Sequence, residues 1–209
     1  MKNKNKILLI GYSSIARKRY INTFRKNKIP FCVASKSSKE KIKGAYKHFN
    51  DYNKALKQSH ANIVFLSLPN SMHFYWSKKI LKLGFHLIVD KPITTKKGEL
   101  NQLILIARKK KLLLTEATFF NYHKQFEYLK KFTGKLNNVE QVLANFTIPM
   151  PKQKSILLSK NLHGGALMDM GPYAAAINRI FFRENLIQKD IVIKKNLKGL
   201  VISFDTYIK

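Results

Sequence analysis

Ile7-Leu8-Leu9-Ile10-Gly11-Tyr12-Ser13-Ser14-Ile15-Ala16 is the stretch from which the fold is read. Four aliphatic residues in a row, with no polar alternation, suit a strand buried on both faces, the kind that parallel sheets contain. The strand is expected over residues 6–10, a turn over 11–14, and a helix to about residue 25 before Pro30 breaks it. Outward from there the alternation repeats. Strands are expected at 31–34, weakly at 47–49, and at 63–67, 86–89 and 112–116. Between them fall short helical stretches at 38–43 and 51–57, then longer helices at 72–83, ending near Gly84, and at 97–109. This is the pattern of an α/β, doubly wound parallel sheet. Beyond about residue 120 it changes. A helix at 122–133, half-exposed strand alternation at 139–147, a loop with Pro149 and Pro151, a helix from Gly164-Gly165 to about residue 182, and strands at 190–195 and 200–207 follow. A first domain over 1–120 is therefore expected before a second over 121–209, an incomplete α+β domain with a mostly antiparallel sheet. Pro172 predicts that the last helix either begins near Asp169 or kinks.

The composition bounds the rest. With 209 residues, 45% of them hydrophobic, the chain can bury one good core and part of another. No apolar run approaches the roughly 18 residues of a membrane span. The basic, then apolar, N-terminus superficially looks like a signal peptide, but the apolar part ends at Gly11, which favours a buried strand. The single cysteine, Cys32, excludes an internal disulfide, lies in an apolar segment and reads as a buried structural thiol, which fits a cytoplasmic protein. Forty Lys and Arg against 11 Asp and Glu give +29, a charge that would attract polyanions. Nearly all of it is lysine spread over every segment, whereas base readout favours arginine, so solvated faces are the better reading and neither a specific nucleic acid nor a membrane partner is expected. The histidines are dispersed and no metal site is expected.

The first turn carries chemistry. A strand, a glycine turn and a helix N-terminus direct backbone N–H groups to where a pyrophosphate would sit. Gly11, Tyr12, Ser13, Ser14, Ile15 and Ala16 keep the first glycine and the small last residue of the dinucleotide fingerprint, with Ser13 in place of the second glycine and able to donate its hydroxyl to phosphate. Taken alone, the turn reads equally as a nucleotide cradle or an ordinary strand-to-helix turn. After the second strand come Ser35, Lys36 and Ser37, with no carboxylate before Glu40; hydroxyls and an ammonium suit a ribose 2′-phosphate, so NADP is favoured over NAD.

Three further segments complete a pattern: Ser67-Leu68-Pro69-Asn70-Ser71-Met72-His73, Val89-Asp90-Lys91-Pro92, and Gly164-Gly165-Ala166-Leu167-Met168-Asp169-Met170-Gly171-Pro172-Tyr173. In this order and spacing the chain resembles the glucose-fructose oxidoreductase and inositol dehydrogenase (Gfo/Idh/MocA) family, in its tyrosine-type, commonly NADP-linked branch. The resemblance implies cofactor contacts from the first turn, Ser35, Lys36, Ser37, Leu68, Pro69, Asn70, His73, Asp90 and Lys91. It also implies catalysis by Tyr173 as acid or base with Lys91 lowering its pKa, while Asp169 orients hydroxyls of a small sugar or polyol substrate. Asp90 replaces the usual glutamate, and Asn121 stands where relatives carry arginine and receives no role. Relatives continue beyond this length, so pairing of the second domain in a homo-oligomer is expected. The alternatives kept are a non-catalytic or truncated relative and, on charge alone, a nucleic-acid binder.

Overall fold

The aliphatic opening forms β1 (Ile7–Ile10), buried along its whole length. Beside it lie β2 (Phe31–Ala34) and β4 (Ile63–Leu66), both parallel to it and in residue-for-residue register, Ile7 with Phe31 and Ile63, Ile10 with Ala34 and Leu66. With β3 (His48–Phe49), β5 (His86–Val89) and β6 (Leu114–Glu116) they make a six-stranded parallel sheet in the order β3-β2-β1-β4-β5-β6. The order reverses between β1 and β4, the place where open α/β sheets hold their ligands. The computed structural model describes residues 5–36, 42–134, 141–153, 155–181 and 188–208, and the chain divides into two units, 1–117 and 118–209.

Alternate strand residues build the two faces of this sheet. Leu8, Ile10, Cys32, Ala34, Val64, Leu66, Leu87 and Val89 face one layer, packed under α2 (Tyr52–Gln58), α3 (Asn70–Lys82) and α4 (Lys97–Lys109). Ile7, Leu9, Phe31, Val33 and Phe65 face the other, covered by a π-helical turn, Ala16–Tyr20, that runs into α1 (Ile21–Lys26). Ala16, Tyr20 and Phe24, spaced by four, all point at the sheet. The Tyr20 ring lies 4.3 Å from that of Phe65, and Phe24 sits 5.5 Å from Phe31. Each such side chain removed from water contributes about 1.5–3 kcal/mol. Trp76 and Cys32 are core residues, as read from sequence.

The ends differ in ways that local chemistry explains. The third helix begins at Asn70 rather than 72, because Pro69 is pre-set at φ −59° and its carbonyl already accepts from the Met72 N–H at 2.9 Å. The last strand starts at Leu114 rather than 112, because Lys111 turns left-handed at φ 53° and the Leu112 N–H returns to Ala107 at 2.9 Å. The helical stretch expected at 38–43 lies mostly outside the described residues.

In the second unit a 3₁₀ turn, Phe119–Tyr122, precedes α5 (Lys124–Thr133), whose first turn is capped by His123. α6 (Ala166–Phe181) begins three residues before Asp169 and runs through Pro172. β7 (Gln188–Lys195) and β8 (Val201–Ile208) form an antiparallel hairpin, the antiparallel element the sequence led one to expect. The strand expected at 139–147 is not formed over its described part. Residues 141–150 have no regular structure; Leu143 is exposed and nothing among the described residues pairs with this backbone, so the alternating pattern has no ladder to join. Residues 139 and 140 lie outside the described residues.

Candidate active site

The carboxyl edge of the parallel sheet is built by continuing its ladder one residue beyond each strand. Gly11 N–H donates to Ala34 O, Ser35 N–H to Phe49 O, Ser67 N–H to Ile10 O, Asp90 N–H to Leu66 O and Ala117 N–H to Val89 O, all at 2.8–2.9 Å. The sequence-predicted cofactor residues of three separate segments are therefore aligned on one edge, at the point where strand order reverses.

Gly11 adopts φ +100°, and a Cβ there would collide with the Ser67 carbonyl, whose carbon would be 2.7 Å away. Only glycine allows β1 to turn this close to the end of β4. The turn then opens a helix: the Ser13 carbonyl accepts from the Arg17 N–H at 3.0 Å, and Ser13 Oγ accepts from the Ala16 N–H at 3.1 Å, a side-chain cap. Ala16 is fully buried, as the small last residue of the fingerprint requires for close helix–sheet packing. Ser14 and Ile15 are exposed at the helix start, and the Arg17 guanidinium lies 5.5 Å from the Tyr12 ring centre.

At the end of β2, Ser35 is buried and Lys36 is exposed, its ammonium 5.3 Å from the Tyr52 ring centre; Ser37 lies outside the described residues.

Ser13 Oγ meets Ser67 Oγ at 2.7 Å, and Ser67 Oγ donates to Asp90 Oδ2 at 2.5 Å. The other carboxylate oxygen of Asp90 accepts from the Tyr20 hydroxyl. Burial pushes the Asp90 carboxyl above its ordinary value, opposed by the Ser67 and Tyr20 hydrogen bonds and by the charges of His73 and Lys91. His73 is wholly buried; its Nδ1 lies 2.7 Å from Pro92 O and its Nε2 2.8 Å from Leu68 O. Both partners are acceptors, and the doubly protonated ring is the form that satisfies both. Next along, Ile93 N–H donates to Glu116 Oε2 at 2.9 Å. The Asp90-Lys91-Pro92 loop is thus pinned at residues 90, 92 and 93, and Lys91 stands on a rigid mount. His73 acts through the two loops it ties, being too deep to touch a ligand.

The second unit holds the remaining predicted residues. Gly164 and Gly165 pass so close to neighbouring backbone that a Cβ would lie 2.5 Å from Leu157 O and 2.9 Å from Val201 O respectively. That tight crossing leads into α6, where Asp169 and Tyr173, one turn apart, lie on one side. Among the described residues, Asp169 is the one charged side chain lining a cleft of about 390 Å³ whose walls include Phe146, Leu157, Met170 and Phe204. The Tyr173 ring is flanked by Phe120, centroids 5.2 Å apart, and is stacked on Phe146 at 5.6 Å. An apolar wall with one carboxylate suits a sugar, whose C–H faces are apolar and whose hydroxyls need acceptors. Asn121 Oδ1 is buried without a hydrogen-bond partner.

Known proteins agree with this architecture. The family model GFO_IDH_MocA, described as an oxidoreductase family with an NAD-binding Rossmann fold, matches residues 5–118. The chain belongs to the Gfo/Idh/MocA family. One Gfo/Idh/MocA relative, dTDP-3,4-didehydro-2,6-dideoxy-alpha-D-glucose 3-reductase of Streptomyces violaceoruber, is 28% identical over 96% of this chain and 58% of its own length. D-xylose 1-dehydrogenase (NADP(+)) 2 of Haloferax volcanii is 27% identical over 64% of this chain and 42% of its own. Among solved structures, a 3-ketoreductase from Actinomadura kijaniata in complex with NADP and TDP-benzene superposes with a TM-score of 0.87 at 23% identity, covering 99% of this chain and 66% of that one. The chain spans about three-fifths of the length of the first of these relatives.

Sequence reasoning missed Tyr20 and Ser67 as members of the site and the two rings that flank Tyr173. Ser67 opens the quoted Ser67-Leu68-Pro69-Asn70 run but was given no contact of its own, and its place at a strand end marks it. Tyr20 falls on the sheet-facing stripe of its helix, where only its hydroxyl sets it apart from a core ring.

Proposed function

We propose that the protein is an NADP(H)-dependent oxidoreductase acting on a secondary hydroxyl or ketone of a sugar, with a nucleotide-linked sugar the favoured class. The observation that carries the reading is the polar carboxyl edge at the strand-order reversal, with Gly11 and the helix N-terminus beside the pinned Asp90-Lys91-Pro92 loop. The residues suit the cofactor. The helix start offers N–H groups to a pyrophosphate, Lys36 offers an ammonium to a 2′-phosphate, and the Asp90 carboxylate has both oxygens engaged inward. The names of the reductase and the xylose dehydrogenase support the sugar class.

In this reading Gly11, Tyr12, Ser13, Ser14, Ile15 and Ala16 hold the diphosphate, Ser35, Lys36 and Ser37 the 2′-phosphate end, and Leu68, Pro69, Asn70 and the Asp90-Lys91 loop the nicotinamide end. The bound nicotinamide supplies or receives the hydride. Tyr173 gives its phenolic proton to the reduced carbonyl oxygen, or takes it back in the reverse direction, and the ammonium of Lys91 favours the phenolate. Asp169 accepts hydrogen bonds from neighbouring sugar hydroxyls. Pairing of second units into a homo-oligomer belongs to the same reading, and sedimentation of the purified chain tests it.

Nicotinamide absorbance over a panel of sugars, polyols and dTDP-linked keto sugars tests the chemistry. Tyr173→Phe and Lys91→Ala should each lose roughly 100-fold or more in turnover while still binding nucleotide. Wild-type rates in both variants contradict the acid–base assignment; nucleotide binding with no turnover on any substrate favours a non-catalytic relative.

A further inference from the structure

Ser13, Ser67 and Asp90 form one hydrogen-bonded chain from the first turn to the Lys91 loop, with Oγ to Oγ at 2.7 Å and Oγ to Oδ2 at 2.5 Å. Each serine has one hydrogen to give. With Asp90 ionised, both its oxygens accept. Ser67 then gives its hydrogen to Asp90 and can only accept from Ser13, so the Ser13 hydrogen points inward. With a proton on Asp90 Oδ2 the order inverts: Asp90 donates to Ser67, Ser67 donates to Ser13, and the Ser13 hydrogen is released toward the mouth of the turn. Tyr20 donates to Asp90 Oδ1 in either state, and the Ala16 N–H donates to Ser13 Oγ in either state, so both arrangements satisfy every member.

We propose that Asp90 and Ser67 are positioning residues for the nucleotide, a proton on Asp90 turning the Ser13 hydroxyl outward to donate to a phosphate at the first turn. This rests on the reading of that turn as the phosphate site. Besides Ser67 from the end of β4, the groups facing Asp90 are Tyr20 from the π-helical turn, His73 from α3 and Lys91, its neighbour in the chain. Binding of nucleotide and uptake of the proton are reciprocal: a phosphate that accepts from Ser13 raises the proton affinity of Asp90, and protonation tightens the phosphate. Carboxyl burial, which already favours the neutral form, makes this accessible in mildly acidic solution.

Calorimetric titration of NADP⁺ into the full chain at pH 5.5 and pH 8 tests the idea. In the wild type the affinity should be roughly tenfold greater at the lower pH, the worth of one hydrogen bond to a charged acceptor. The 2′-phosphate of the ligand contributes a pH response of its own, which Ser67→Ala leaves in place while cutting the chain. The gain in Ser67→Ala should therefore shrink to under about threefold, and Ser13→Ala should lose the same part. Asp90→Asn, whose amide N–H₂ donates to Ser67 while its oxygen accepts from Tyr20, should bind more tightly than the wild type at pH 8 and lose the same part of the pH response as Ser67→Ala. Carboxyl NMR of Asp90 should show its titration moved to higher pH by NADP⁺ in the wild type and less so in Ser67→Ala. An equal pH response in wild type and Ser67→Ala overturns the inference alone. No saturable NADP⁺ binding at either pH overturns the nucleotide reading and the inference with it.

Discussion

Replacing Gly11 by alanine places a methyl group against the Ser67 carbonyl, whose carbon would be 2.7 Å from the new Cβ, well inside ordinary contact. Relief requires β1 and β4 to part, yet Ser67 is tied by its N–H to Ile10 O at 2.8 Å and Gly11 by its N–H to Ala34 O at 2.9 Å. The φ of +100° adds about 1–3 kcal/mol of backbone strain for any residue with a side chain. Displacing packed backbone adds a comparable amount, so about 3 kcal/mol or more of destabilisation is expected. The only tryptophan, Trp76, is buried in the same unit and reports its unfolding directly. With a slope of about 1–3 kcal/mol/M, the urea midpoint followed by Trp76 fluorescence should fall by about 1 M or more. A shift below about 0.3 M would refute the claim that the turn is closed against β4.

Other substitutions separate the parts of the edge. Burial raises the Asp90 carboxyl, so the native state holds its proton more tightly than the unfolded chain does; this contribution is complete below the unfolded carboxyl value and is lost as pH rises through the folded one. Asp90→Asn should accordingly raise the melting temperature at pH 7 by a few degrees and give no gain near pH 3.5, and a gain that is larger in acid contradicts the assignment. His73→Leu strips donors from two carbonyls, Pro92 and Leu68, and should cost about 2 kcal/mol or more by urea denaturation. Lys36→Ala should weaken NADP⁺ roughly tenfold while leaving NAD⁺ nearly unchanged in calorimetry; equal losses would remove Lys36 from the 2′-phosphate site.

Much of the first unit was legible because its signals are local and agree. Uncharged runs such as Ile63–Leu66 can only be strands buried on both faces, and Gly11 and Pro69 punctuate the chain where backbone geometry demands it. The family resemblance drawn from four motifs was likewise sound. What the sequence did not carry was non-local. Nothing in the spacing of Ser13, Ser67 and Asp90, up to 54 residues apart between neighbours, says that their oxygens meet. His73, which the resemblance placed among the cofactor contacts, is a buried tie between two loops. The alternation at 139–147 failed as a strand signal over the described residues because alternation states which face is apolar and not whether a partner strand is there to pair with.

The most direct test of the account is a fluorescence titration of NADPH with the intact chain. A nicotinamide held at the carboxyl edge should brighten and shift its emission to the blue, saturating at one nucleotide per chain. Emission that stays at its value in free solution over the whole titration would contradict the assignment of this edge as a dinucleotide site.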